Sequence, residues 1–551
     1  MSEANENGEY QFSNWVQRER GHFRQLFWTN KHATITYCAI FWSFGMCVGF
    51  LGPTLGDLGC QTGATFSTIS WLFLAQSLFI LIGSMVGGLC LQRFPVHNVM
   101  SLGTIIITLA FLVIPFCKSM GALALVLAIM GFYMGIIDTS TNVSMIRLYG
   151  LDVSPFLQAL HFFYGLGAFL SPMIAEPFLQ NFDCTRLIDN SSIYTGWLGK
   201  EFLTAEAETA VTPTSLAEAQ QKMQVHHAFW IMAFLQVPVM LLTFSLVFRE
   251  RMTAGSSEPN TEAKSSYQEM DHGAVSLTNP KTWRQCCAGT SHKKMLVVAA
   301  ACLLLFFADG MQASFGGLIF TYGHMTVKRL TRQQAADINA VFWATFASGR
   351  LISIVAALYL APGFMLFCDI LGSLVAMLFL LVIPHNLGVL YVGTAMFGLF
   401  LSSIYPSTIS LTEQFVDVGP GATSCMVVGA ATGEMIYPVA LSKLLNKFGF
   451  ISFLAVGNVT LWLMVVVFLG LWMAGMYSKN HKPTKALLAL WLPRIFKPAP
   501  TERSSLLHTF GGDGTTTYYK RMKNEDSCQS IANFAAPTET TTGPSINGSY
   551  H

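Results

Sequence analysis

The stretch Gly131–Asn142 reads GFYMGIIDTSTN, and it decides how the rest of the chain is read. It lies within an apolar run, Met120–Ile146, long enough to cross a bilayer as a helix. Yet it carries a carboxylate, Asp138. Asp138, Thr141 and Asn142 stand at i, i+3 and i+4, which places a carboxylate, a hydroxyl and an amide on one helix face. A charge at the middle of a membrane helix costs at least about 2.5 kcal/mol, so something must offset it. One reading is a structural hydrogen bond to a neighbouring helix; the other is a cation or proton site on a transport path. Intramembrane ionisable groups favour the second. Sodium suits it, because a hard cation prefers oxygen ligands.

Composition agrees with a membrane protein. Of 551 residues, 52% are hydrophobic and 11% charged, against about 25% charged in a soluble domain. The net charge of +2 argues neither for nor against an acidic partner, and nucleic acid is not expected as one. The expected partners are a small-molecule solute and membrane lipid. Twelve cysteines are too dispersed for a disulfide scaffold and show no metal-ligand spacing. No cofactor is expected beyond a coupling ion such as sodium. The polar first 30 residues lack a cleavable-signal pattern, so the first apolar run is expected to direct insertion.

Hydropathy predicts twelve transmembrane helices, an all-α membrane fold. Six lie near Thr34–Leu55, Thr68–Leu91, Val99–Phe116, Met120–Ile146, Pro155–Leu179 and Ala228–Phe248. Six more lie near Met295–Thr321, Ala336–Leu360, Gly363–Ile383, Val389–Leu411, Gly421–Ser442 and Ile451–Gly475. The expected organisation is an N-tail (1–33), an N-terminal six-helix bundle (34–248, with a loop at 180–225), a central loop (249–294), a C-terminal bundle (295–475) and a disordered C-tail (476–551). With both termini in the cytosol, inner segments hold 22 of the 32 Lys and Arg residues and outer segments 9. The positive-inside rule selects that orientation. It also places the Asn190-Ser191-Ser192 sequon in an outer loop, where Asn190 is the one sequon asparagine open to glycosylation.

The halves repeat each other. Gly131–Thr141 aligns with Gly398–Thr408 (GLFLSSIYPST) at an offset of 267, and Gly167–Pro172 aligns with Gly433–Pro438 at 266. Two six-helix pseudo-repeats around a midplane site are the layout of a secondary transporter.

On these residues the chain resembles the major facilitator superfamily, and within it the fucose-permease-like sugar branch. Gly131–Asn142, Phe162–Ala168 (FFYGLGA) and Gly398–Ser410 carry that likeness. Leu51–Thr54 (LGPT), Ile137–Thr139 (IDT), Gln158–Phe162 (QALHF) and Gly433–Met435 (GEM) are similar to the domain-containing protein 4 group and to sodium-dependent glucose transporters. The resemblance spans Thr34–Gly475 and implies facilitative or cation-coupled movement of a small solute, with a monosaccharide such as glucose first in line. Two departures matter. The superfamily's G-x-x-x-D-R loop appears as Gly88-Leu-Cys-Leu-Gln92-Arg93, without its acid. The first span also lacks the acid that proton-coupled fucose permeases carry, which argues against proton coupling.

Asp309, Arg350 and Glu434 fall midway along spans seven, eight and eleven. Opposite charges at similar depth neutralise one another, so an intramembrane network is expected in which Arg350 pairs with an acid or lines a gate. Asp369, nearer a span end, is expected to meet interfacial water. Gln76, Gln158 and His161 are candidate partners for solute hydroxyls. Trp42, Trp71, Tyr164, Trp343 and Tyr405 are candidate ring-stacking faces. On the outer face Cys60 and Cys184 are expected to form a disulfide. In the C-tail, Glu502, Leu506 and Leu507 fit an acidic dileucine sorting signal for adaptors. Trp15–Phe27 mixes arginine with large apolar residues and suits the inner membrane surface. The expected product is a secondary-active carrier in the plasma membrane or an endosomal or lysosomal membrane. An uncoupled or proton-coupled carrier of another solute stays open, as does a non-transporting receptor or scaffold on a carrier fold. No nucleophile–base pair or metal set marks an enzyme.

Overall fold

The computed structural model describes residues 2–64, 69, 71–179, 224–256, 292–326, 332–449 and 451–478. Asn190, Cys184, Glu502, Leu506 and Leu507 lie outside the described residues. The described helices are α1 (Ser2–Gly49), α2 (Leu51–Thr62), α3 (Trp71–Cys90), α4 (Val96–Val113), α5 (Met120–Tyr149), α6 (Ser154–Ala175) and α7 (Val225–Ser256) in the first half. The second half has α8 (His292–Thr326), α9 (Arg332–Tyr359), α10 (Pro362–Val382), α11 (Leu387–Leu401), α12 (Ile404–Phe415), α13 (Pro420–Phe448) and α14 (Ile451–Ser478). Among the described residues, twelve spans are long and apolar enough to cross a membrane. Large apolar side chains such as Phe234, Leu241 and Val382 point outward, as lipid-facing surfaces require.

The helices meet through small residues. A Cβ on Gly167 of α6 would strike the Trp42 backbone carbonyl of α1, and one on Gly433 of α13 would strike that of Phe306 in α8. Backbone carbonyls cannot yield as a side chain can, so only glycine admits this approach. Gly167 and Gly433 are the aligned pair of the two repeats, so equivalent sequence makes equivalent helix pairs.

Two elements depart from the sequence reading. The first helix starts at Ser2, far before the expected span start at Thr34. Span ten, expected as one helix, is broken at Ser402–Ser403 into α11 and α12. Pro406 explains the break: it has no N–H to return to the Ser402 carbonyl one turn back. The aligned residue in α5 is Thr139, and α5 runs unbroken through it.

Candidate functional site

A cavity of about 60 Å³ lies between the halves, and Asp138, His161, Asp309, Arg350, Tyr405 and Glu434 line it. The repeats explain their convergence. Asp138 and Tyr405 occupy aligned positions on α5 and α12, one from each half. Asp309 and Glu434 adjoin Gly310 and Gly433, the close-packing residues of α8 and α13. Tight helix contact therefore sets the two acids at fixed places in the wall. Glu434 is exposed although it sits in a membrane helix, and it is one of the residues that line this cavity.

Asp138 is 7% exposed. Asn142 Nδ2 donates to its Oδ1 at 2.8 Å and to its backbone carbonyl at 3.0 Å. The amide thus presents its N–H to the carboxylate and holds Asp138 in place. Thr141 Oγ1 and Asn142 Oδ1 are buried without a hydrogen-bond partner. His161 is 6% exposed, packs its ring 4.6 Å from that of Tyr405 and has Nε2 unpartnered.

Arg350 departs from the expected ion pair. No ion pair within 4.0 Å joins it to Asp309 or Glu434 among the described residues. Its Nη1 donates to the His161 carbonyl at 2.7 Å and its Nε to the Ser402 carbonyl at 3.4 Å. Pro406 leaves the Ser402 carbonyl without its helical donor, and the guanidinium takes that place. The rings of Phe346 and Tyr164 lie 4.4 and 5.2 Å from Cζ, close enough for cation–π attraction. Asp369 is also corrected: it is buried and accepts from Ser403 Oγ at the helix break.

Two expected solute ligands sit elsewhere. Gln76 Nε2 donates to the Cys47 carbonyl at 3.2 Å, within the first half. Gln158 Nε2 donates to Ser407 Oγ at 3.1 Å, tying the halves together. Neither lines the cavity, nor do Trp42, Trp71 and Trp343. Phe44 and Gln312 do line it and were not anticipated. Gln312 stands three residues after Asp309, so the helical period carried its signal, whereas no pattern in the sequence marked Phe44.

The hydrogen bonds that join the halves gather at the floor of the cavity and beyond it. Besides Arg350–His161 and Gln158–Ser407, Ser424 Oγ donates to the Ser84 carbonyl at 2.7 Å. Gly88, the glycine of the G-x-x-x-D-R-like loop, lies against Ser424. At the far margin Arg20 Nε donates to Tyr359 Oη at 2.7 Å. The halves are closed on the side where the N-terminal segment lies.

The sequence pattern of the Major Facilitator Superfamily matches residues 35–364. The chain belongs to that superfamily. It is 34% identical over 465 residues to major facilitator superfamily domain-containing protein 4A of Xenopus tropicalis, covering 78% of this chain and 90% of that protein. It is 32% identical over 416 residues to sodium-dependent glucose transporter 1 of Danio rerio, covering 75% of this chain and 64% of that protein. In fold it is similar to FucP solved in the outward conformation, with a TM-score of 0.60 at 14% identity over 80% of this chain and 97% of that one. These matches agree with the sugar-permease-like resemblance read from Gly131–Asn142 and its repeat. The chain is a multi-pass membrane transporter of the major facilitator fold.

Proposed function

We propose that this transporter carries a small polar solute, a hexose first, coupled to sodium by alternating access. The observation that carries this reading is the cavity between the repeats, where ionisable side chains interrupt an otherwise apolar wall, closed on one side by contacts between the halves. Asp138, buried in its wall and held by Asn142, is the cation ligand in this reading. The relative named for sodium-dependent glucose transport supports the choice of ion and sugar. Backbone carbonyls or a second span complete the oxygen shell, since Asn142 turns its amide N–H inward. His161 and Tyr405 meet the solute at the floor.

The closed side is the cytosolic one in this reading, so both termini are cytosolic and the cavity faces outward. Plasma, endosomal and lysosomal membranes suit it equally, and the dileucine of Leu506 and Leu507 after Glu502 serves adaptors there. Cys60 is disulfide-bonded, whereas Cys117 is free; we assign Cys184 as its partner, beside a glycan on Asn190. Non-reducing peptide mapping checks both, and free alkylation of Cys184 rejects the pairing.

The test of function is uptake by the purified protein in liposomes, with a solute panel and with or without an inward sodium gradient. Sodium-stimulated accumulation of a hexose is the expected result. Binding without depletion of the outside pool would mark a receptor instead.

A further inference from the structure

We propose that the solute taken by this cavity bears an ammonium group, as in an amino-substituted hexose, held between Asp309 and Glu434. The inference rests on the carrier reading above and specifies the charge of its substrate.

Charge is the first ground. Three carboxylates line the cavity, Asp138 from the first half with Asp309 and Glu434 from the second, against one guanidinium. The guanidinium is engaged with the carbonyls of His161 and Ser402 and with two rings. It forms no ion pair with either second-half acid. While the cavity is open, water reaches Glu434, which is exposed. Alternating access must later seal the site, and sealing removes that water. Unmatched buried carboxylates are then strongly unfavourable. Sodium at Asp138 offsets one of the two surplus negative charges. A neutral hexose leaves the other standing, whereas an ammonium offsets it.

The wall chemistry is the second ground. Phe44 and Tyr164 line the same cavity as the acids, and so does Tyr405. Aromatic faces beside carboxylates are what a desolvated ammonium needs on its several sides. Gln312, one turn along α8 from Asp309, adds an amide carbonyl able to accept an N–H. His161 is the independent sign that a ligand belongs here. The residue lines the cavity, and its Nε2 is buried with no hydrogen-bond partner. A hydroxyl of the solute supplies that partner while the ammonium faces the acids opposite. The other ionisable groups in the wall are the phenols of Tyr164 and Tyr405, which carry no charge near neutrality.

The test is equilibrium binding to the full-length protein in lipid nanodiscs, in sodium, with glucose, glucosamine, N-acetylglucosamine and ethanolamine as probes. Glucosamine is expected to bind at least about tenfold more tightly than glucose or N-acetylglucosamine, equivalent to about 1.4 kcal/mol. Glu434→Gln and, separately, Asp309→Asn should each shrink that ratio toward one; two variants guard against one failing to fold. Glucose binding as tightly as glucosamine overturns the ammonium assignment and leaves the hexose reading standing. Ethanolamine binding with no sugar bound does the reverse. An unchanged ratio in both variants removes the acids from the assignment, and binding of none of the four probes overturns both readings.

Discussion

The two halves place the same backbone contact at aligned positions but make it with different side chains. In the first half Ser84 Oγ donates to the Gly135 carbonyl at 3.3 Å. In the second, Arg350, which follows Gly349 on Leu399 as Ser84 follows Gly83 on the aligned Phe132, donates to the aligned Ser402 carbonyl at 3.4 Å. The difference traces to one residue. Thr139 leaves α5 a complete ladder, so a hydroxyl suffices as a supplementary donor to Gly135. Pro406 removes the donor to Ser402, and a long cationic side chain replaces it. The first half is therefore a continuous helix carrying an acid, Asp138. The second is a broken helix with Tyr405 at the acid's position and its charges moved to neighbouring helices. An inverted or repeated fold is thus symmetric in its packing glycines and asymmetric in its chemistry, which is how one architecture separates an ion face from a solute face.

The sharpest way to break this comparison is to remove the acid and leave its counterpart. Asp138→Asn keeps the shape and the hydrogen bond from Asn142 but not the charge. It is expected to reach the membrane yet lose the sodium response, lowering uptake by about 5–150-fold, the usual span of a coupling free energy. Tyr405→Phe should retain the sodium response and change only solute affinity. Uptake against sodium concentration in liposomes separates them. An Asp138→Asn carrier with an unaltered sodium curve would show that the acid is structural.

Stability tests the helix break. Arg350→Gln strands the Ser402 carbonyl, and a buried unsatisfied group costs about 1–3 kcal/mol. If the guanidinium stands in for the missing N–H, Pro406→Ala restores that donor, and the double variant should be more stable than Arg350→Gln alone. Neutralising Glu434 in the same background should give no comparable rescue, because no ion pair links the two. Thermal unfolding in detergent by intrinsic fluorescence reads all four proteins. Rescue by Glu434→Gln but not by Pro406→Ala would return Arg350 to the role of an acid's partner.

Much of this is legible in the sequence. Length and hydropathy of the apolar runs fix the spans, and the offsets of 266 and 267 pair Gly167 with Gly433 and Asp138 with Tyr405. Polarity inside a span marked Asp138, His161, Asp309, Arg350, Tyr405 and Glu434, all of which the fold brings to one cavity. The partners of these groups were not legible. Gln76 and Gln158 have the same donors and acceptors as a solute ligand, but which way a glutamine turns depends on the neighbouring helix, and both found protein atoms first. The role of Arg350 needed the knowledge that Pro406 frees a carbonyl nearby in space, although the two lie on different helices. A proline inside an apolar run was a visible cue for the break, and its alignment with Thr139 located the difference between the halves.

The packing glycines test the symmetric part. Gly167→Ala and Gly433→Ala each drive a methyl into a backbone carbonyl that cannot move away. Overpacking of this kind costs about 1–3 kcal/mol, and the two variants should lose similar amounts of thermal stability. A large disparity would mean that one bundle is the more compliant, and that the repeat is of sequence more than of mechanics.

The smallest effect is expected at the closed margin, where the extended first helix reaches across to the second half. Arg20 belongs to α1 and Tyr359 ends α9, so their 2.7 Å hydrogen bond spans the two halves. Phe23 stacks on Phe156 at 5.0 Å and His22 contacts Asp152 Oδ2 at 3.2 Å, which seats the same helix against the first half. The segment is therefore anchored to one half and tethered to the other by an exposed contact. Exposed pairs of this type contribute about 0.2–1 kcal/mol, too little to alter folding but enough to shift a balance between two conformations severalfold. Tyr359→Phe deletes the acceptor and keeps the ring. Unfolding temperature should stay within error of the parent, while a thiol probe introduced on the side of Gln158 and Ser407 should label a few times faster as the closed side opens more often. If labelling is unchanged while truncation before Phe23 accelerates it, the apolar seat on Phe156 holds that margin shut and the polar tether does not.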